Sequence, residues 1–172
     1  MIRPILVYGA PELQEKSVPV IDFDNEIKNL AQDMLETMYA APGIGLAAPQ
    51  IGINLRLIVV DLSVGEESGN QLVLANPEIT DQEGSEQGEE GCLSVPGFTA
   101  MVKRPINISV CGQDIEGQPR KIKAEGLLAR ALCHEIDHLD GILYLDRLSV
   151  LKRDLIRRKI SRKAYFFHFK DS

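Results

Sequence analysis

No stretch of this 172-residue chain approaches the roughly 18 consecutive apolar residues of a membrane span. Its start, Met1-Ile2-Arg3-Pro4-Ile5-Leu6-Val7-Tyr8-Gly9, has no sustained apolar core, so neither a membrane partner nor a secretory signal peptide is expected. Positive charge is also scarce. Against 19 Lys and Arg stand 25 Asp and Glu, a formal net charge of -6, which disfavours DNA and general nucleic-acid binding. The cysteines are only three, Cys92, Cys111 and Cys133, an odd number at irregular spacing. That is no disulfide framework; it points to a reducing cytoplasmic setting with at least one free thiol. Internal repeats and low-complexity tracts are absent. What remains is a globular balance, 44% hydrophobic and 26% charged, in a length that suits one domain, residues 1–172, with its own core.

The apolar periodicity divides the chain. Ile27, Leu30, Ala31, Met34, Leu35 and Met38 recur at helical spacing, so a helix is expected over 24–41, capped by Asp22 or Asp24 and stopped at Pro42-Gly43. Leu55 to Asp61 is β-branched and apolar, which suits a buried strand. Leu72 to Pro77 reads as a second strand ending at its proline. Residues 81–90 carry Asp81, Glu83, Glu86, Glu89 and Glu90 and read as a solvated edge or loop. Short strands follow over 99–104, 106–113 and 119–125. A helix over Glu125–Leu139 should stop at Gly141, and a last amphipathic helix is expected over about 149–166. Strands and helices do not alternate regularly. The expected fold class is therefore α+β, with mostly antiparallel strands around a central helix and further helices towards each end.

The chemistry concentrates in that central helix. His134 and His138 are four residues apart, which places both imidazoles on one face, one turn apart, where they can bind a single ion. Glu135 sits beside them, offset by about 100° on the helix. It is free to move protons rather than ligate. The chain has three histidines in all, and the surrounding helix is apolar: Leu127, Leu128, Ala131, Leu132, Ile136 and Leu139. Buried imidazoles and a buried carboxylate are costly unless bound to something. A small H-E-x-x-H metalloprotease is one reading of this pattern.

A catalytic metal needs a third protein ligand and an open position. A distal third histidine would fall at position 144, which holds Tyr144. No glutamate follows Glu135, so a late-helix glutamate ligand is also ruled out. Asp146, Asp154, His168 and the thiols remain. Cys133 adjoins His134 and so points off the ligand face, and Cys111 lies in a strand-like stretch. Cys92, in Glu89-Glu90-Gly91-Cys92-Leu93-Ser94-Val95-Pro96-Gly97, lies in a segment whose glycines and proline can present a side chain or an amide to a site. Spacing alone leaves the choice open.

Gly43-Ile44-Gly45-Leu46-Ala47-Ala48-Pro49-Gln50 is glycine-rich but lacks the Lys-Ser/Thr of a phosphate loop and reads as a helix C-cap and turn. Taken with Glu90-Gly91-Cys92-Leu93-Ser94 and His134-Glu135-Ile136-Asp137-His138, it closely resembles the three signature motifs of the peptide deformylase family, in the same order. The resemblance implies Cys92, His134 and His138 as metal ligands and Glu135 as the catalytic acid/base. It implies that metal-bound water attacks the formyl carbon, while Gln50 and the backbone N–H of Leu93 hold the formyl oxygen and Gly45 lines the site. The implied substrate is the N-formylmethionyl end of a nascent polypeptide, and the implied products are formate and a free N-terminal methionine. The implied ion is Fe2+, with Zn2+, Ni2+ and Co2+ able to occupy the site. Many family members carry glutamine where this chain has Cys133. Ile44, Leu127 and the helix near Ala131 are candidates for an apolar methionine pocket.

One basic cluster stands out in the acidic chain: Lys152, Arg153, Arg157, Arg158, Lys159, Arg162 and Lys163, with only Asp154 opposing. A solvated helix face is one reading; docking to ribosomal RNA is the other.

Overall fold

The computed structural model describes the backbone of residues 1–170 and the side chains of residues 1–161. The fold is α+β. In chain order it contains α1 (Asn25–Ala40), β1 (Gly45–Ala47), β2 (Leu57–Val60), β3 (Leu72–Glu83), β4 (Glu86–Cys92), β5 (Val95–Arg104), β6 (Asn107–Gln113), β7 (Pro119–Glu125), α2 (Gly126–Leu139) and α3 (Val150–Lys170). Five strands form one sheet in the order β1-β2-β3-β6-β7, and β4 and β5 form a separate hairpin. Every ladder between these strands is antiparallel.

The apolar run of β2 explains the layering. Its four side chains are all buried, but alternate ones face opposite ways. Leu57 and Val59 pack with Ile27, Leu30, Ala31, Met34 and Met38 of α1. Ile58 and Val60 pack with Ala129, Leu132, Ile136 and Leu139 of α2. A strand covered on both faces reads as a continuous hydrophobic run, and each such side chain contributes about 1.5–3 kcal/mol of burial. The sheet thus lies between α1 and α2, and α2 is the central helix.

Local chemistry sets the ends of the helices. Asp24 caps α1, its carboxylate accepting from the Ile27 N–H at 3.2 Å. Gly141 ends α2 at φ 75, and a Cβ there would also lie 2.5 Å from the Gln14 carbonyl oxygen. Only glycine satisfies both demands.

Three expectations change. β3 does not stop at Pro77 but runs on to Glu83. Its register with β6 shifts between Ala75 and Glu78 and again between Ile79 and Asp81. Pro77 falls inside the first irregularity, where the missing N–H costs the ladder nothing. The segment 43–50 is not only a turn, because it contains β1, a strand of three residues too short to show alternation. α3 lacks a clean apolar stripe: Val150, Leu151 and Leu155 are exposed while Ile156 and Ile160 pack against the β4–β5 hairpin. The side chains of Arg162, Lys163 and His168 lie outside the described residues.

Candidate metal centre

α2 carries His134, Glu135 and His138, and all three side chains are buried. The turn of the β4–β5 hairpin brings Cys92 against them. Cys92 Sγ lies 3.3 Å from His138 Nε2, and one ligand atom from each of Cys92, His134 and His138 lies within 4.8 Å of the others. Among the described residues these form the one group of three or more such side chains close enough to hold an ion. The other thiols lie elsewhere. Cys133 is buried in the core between α2 and the sheet, where burial pushes its thiol pKa up. Cys111 is half-buried on β6. Asp146 is engaged locally, accepting from the Leu143 N–H. Tyr144, at the position of a third histidine, stacks on His134 with ring centroids 6.1 Å apart.

The electrostatics of the cluster favour a cation. Burial opposes charge on His134, yet the Cys92 sulfur and the Glu90 carboxylate outweigh it and push its pKa up to about 10. His138, more deeply buried and facing His134, is pushed well down. Glu135 is pushed up to about 7, chiefly by burial, and its Oε2 has no hydrogen-bond partner. A buried acceptor left unpaired is costly, which suits a position where a proton-bearing group binds. Three nitrogen and sulfur donors beside a carboxylate oxygen without a partner fit a catalytic metal.

Gln50 is buried in the 3-10 turn after β1. Its Oε1 accepts from the Ala47 N–H at 2.9 Å, and its Nε2 donates to Ser94 Oγ at 3.1 Å and, weakly, to Cys92 Sγ at 3.6 Å. A Cβ on Gly45 would stand 2.7 Å from Glu135 Oε1. The absence of a side chain there makes room for the carboxylate. Gly45, Gln50, Cys92, Leu93, His134 and Glu135 all line one cleft of about 650 Å³, and Ile44, Leu127 and Ala131 line it too.

One residue of the site was read otherwise in the sequence. Glu90 is not part of a solvated edge. Strand alternation turns it inward, where Oε1 pairs with His134 Nδ1 at 2.9 Å. Arg104 binds both its oxygens at 2.9 Å, and Arg130 binds Oε2 at 2.8 Å. Arg104 and Arg147 also reach Asp137 on α2. Burial would raise the Glu90 carboxyl, but hydrogen bonds from His134 and Arg104 outweigh it and hold it at about 2. With Nδ1 engaged, His134 is left with Nε2 for a ligand. The signal available in the sequence was Arg130, an arginine one turn before His134 in an otherwise apolar helix, which needed a buried partner.

Comparison with known proteins bears directly on this geometry. A sequence model of the polypeptide deformylase family matches residues 2–154. The chain belongs to that family. A peptide deformylase of Alkalilimnicola ehrlichii is 54% identical over 162 residues, covering 94% of this chain and 90% of that one. One from Acidobacterium capsulatum is 51% identical over 160 residues, covering 93% and 94%. The crystal structure of a peptide deformylase from Legionella pneumophila superposes with a TM-score of 0.91 at 45% identity, covering 98% of each chain. As a deformylase-family protein the chain is a hydrolase of a metal-dependent class. No helix among the described residues is long and apolar enough to cross a membrane.

Proposed function

We propose that Cys92, His134 and His138 hold one divalent metal ion and that Glu135 moves the proton in the reaction of this family. That reaction removes the formyl group from the N-terminal N-formylmethionine of newly made polypeptides and releases formate. The observation that carries the assignment is the convergence of three ligand atoms within 4.8 Å beside a buried carboxylate with a free oxygen. Fe2+ is the ion we favour, with Zn2+, Ni2+ and Co2+ as competitors, because a thiolate with two imidazoles is a site of intermediate softness. When bound, the ion supplies an acidified water and a Lewis-acid anchor for a carbonyl oxygen.

The chain's own groups do the rest. Glu135, with its pKa near 7, takes a proton from the attacking water and returns it to the departing amine, so that the C–N bond breaks to a neutral leaving group. Gln50 Nε2, whose donation to Cys92 Sγ is long at 3.6 Å, exchanges that weak contact for the developing oxyanion. The Leu93 N–H is its partner donor, and removing one such donor costs about 10²–10³ in rate. Among the described residues β1 and β4 each pair on one edge only, and residues of both line the cleft. An extended peptide can use those free edges for main-chain hydrogen bonds. Ile44, Leu127 and Ala131 offer the methionine side chain an apolar wall.

The test is Glu135→Gln, followed by formate release from formyl-Met-Ala-Ser and by elemental analysis. The variant should keep its metal and lose about 10²–10⁴ in kcat; unchanged turnover would refute the role. Cys92→Ala should lose the metal while Cys111→Ala keeps it. On α3, Lys152, Arg158 and Lys159 are exposed, which supports docking of this helix on ribosomal RNA near emerging chains. Co-sedimentation with ribosomes should then fall with salt and on truncation after Ser149.

A further inference from the structure

We infer, building on the deformylase reading of the cleft, that Tyr39 and Asp61 are positioning residues for the methionine pocket: their hydrogen bond fixes the Ile44 wall from behind and so sets the preference for methionine over a smaller first residue. Asp61 directly follows β2 and is fully buried. Its carboxylate forms no ion pair among the described residues and is held by four neutral donors. Oδ1 accepts from the Ser63 N–H at 2.9 Å and from Ser63 Oγ at 2.7 Å, and Oδ2 accepts from the Gly65 N–H at 3.1 Å. Those three donors close the turn after β2, where Val64 is held at φ 54, a conformation costly for a β-branched residue. The fourth donor is of another kind. Tyr39 Oη comes from the last turn of α1, 22 residues away, and donates to Oδ2 at 2.6 Å. Closing the turn does not require it. A buried carboxylate without a cation is expensive unless hydrogen-bonded, so each donor it keeps constrains the element that carries it.

Tyr39 and Asp61 bracket one wall of the cleft. Residues 41–45 follow Tyr39 and all line it. At the start of this segment the Ala41 and Gly43 N–H groups are tied back to the Met38 carbonyl of α1, and at its far end the Ile44 carbonyl accepts from the Asp61 N–H at 2.8 Å. One residue therefore holds both ends, α1 through its side chain and Ile44 through its backbone. The tyrosine ring lies against the turn, so close that a Cβ on Gly65 would stand 3.4 Å from it. Without the Tyr39 hydroxyl, the last turn of α1 and residues 41–44 are free to recede. Gly45 cannot follow, because β1 pairs it with Val60, and Glu135 keeps its seat. The effect then falls on Ile44 and the substrate side chain rather than on proton transfer. A gap of about 0.5–1 Å forfeits about a quarter to a half of a van der Waals contact. An apolar pocket distinguishes side chains by about tenfold per methylene at the low end, so a receding wall should cost about five- to tenfold in selectivity.

The experiment measures formate release from formyl-Met-Ala-Ser and formyl-Ala-Ala-Ser by the metal-loaded enzyme. The parent should favour methionine by about 10² or more in kcat/KM. Tyr39→Phe should cut that ratio about five- to tenfold by raising KM for the methionine peptide, with kcat within about twofold of the parent and metal content unchanged. Asp61→Asn should cut it similarly, and the double variant should fall no further than the larger single one, because both changes remove the same link. Asp24→Ala removes the cap at the other end of α1. It should lower Tm and leave the ratio alone, which separates positioning from loss of stability. An unchanged ratio in folded, metal-loaded Tyr39→Phe, a loss confined to kcat, an additive double variant or an equal fall in Asp24→Ala would each overturn the inference. Should Asp61→Asn not fold, Tyr39→Phe against Asp24→Ala still decides. A parent that releases formate from both peptides without preferring methionine would overturn the pocket and this inference with it. Release from neither peptide would overturn the deformylase reading itself.

Discussion

Gly45→Ala adds a single methyl group and should act on catalysis far more than on folding. Gly45 lies in β1 and its φ is not in the left-handed region, so alanine fits the backbone. The consequence is steric. The new Cβ would stand 2.7 Å from Glu135 Oε1 and 3.0 Å from the carbons behind it, against about 3.4 Å for ordinary van der Waals contact. β1 is hydrogen-bonded to β2 through Gly45 opposite Val60 and cannot retreat, so the carboxylate must move by several tenths of an ångström. A misplacement of about 1 Å in a reacting group costs about 10²-fold, and overpacking costs about 1–3 kcal/mol of stability. The expected result is kcat for formyl-Met-Ala-Ser reduced about 10²-fold, a full complement of metal and a modest fall in Tm. Gly43→Ala is the control. Its Cβ meets the Leu93 side chain at 2.8 Å, a flexible group that can turn aside, and its effect should be several-fold at most. Full activity in a folded, metal-loaded Gly45→Ala enzyme would refute the argument that this glycine exists to seat Glu135.

Glu90→Gln keeps the shape at the back of the metal centre but removes the charge that balances Arg104 and Arg130. Breaking one side of a buried ion pair costs about 3–5 kcal/mol, and metal affinity should fall about 10–100-fold as His134 loses its orienting partner. Thermal unfolding and competitive metal titration measure the two effects, and parental values in both would refute the role. A pH effect is expected at Asp61, which is fully buried and accepts from Tyr39, Ser63 and Gly65. Burial would raise its carboxyl, but these donors outweigh it and lower the pKa. The folded pKa therefore lies below the unfolded value of about 3.9, so its stabilisation is present above that value and is lost as pH falls through the range beneath it. Urea unfolding of Asp61→Asn should show a shallower loss of stability below about pH 4 than the parent, and equal slopes would count against it.

The sequence made local relationships legible. His134 and His138 share a face because the helical repeat places residues four apart together, and the run from Leu55 announced a buried strand because both faces of β2 are covered. Cys92 was not local. Its approach to His138 spans 46 residues and depends on where the β4–β5 hairpin packs, so spacing could single out Cys92 among the thiols but not decide that it is the third ligand, and the resemblance supplied that choice. The extension of β3 past Pro77 and the three-residue β1 escaped for the same reason: each is decided by pairing partners distant in the chain, which tolerate a proline at a bulge and stabilise a strand too short to show its own period.

Glu90 joins these themes. Read as composition, residues 81–90 are an acidic run and belong in water, and Asp81, Glu83, Glu86 and Glu89 are indeed exposed. Read as a strand, the same run must alternate, and one glutamate of the adjacent pair Glu89-Glu90 must face inward. The inward one meets two arginines and a histidine and becomes part of the metal centre. The outward one stays free at the mouth of the cleft. Two identical residues side by side thus acquire unlike surroundings, one paired with His134 and one left in solvent, because a strand turns successive side chains to opposite faces. The same logic says that exchanging their environments is impossible without shifting register. A one-residue deletion in β4 should therefore abolish metal binding, and a deletion variant that folds and keeps its metal by elemental analysis would refute the argument.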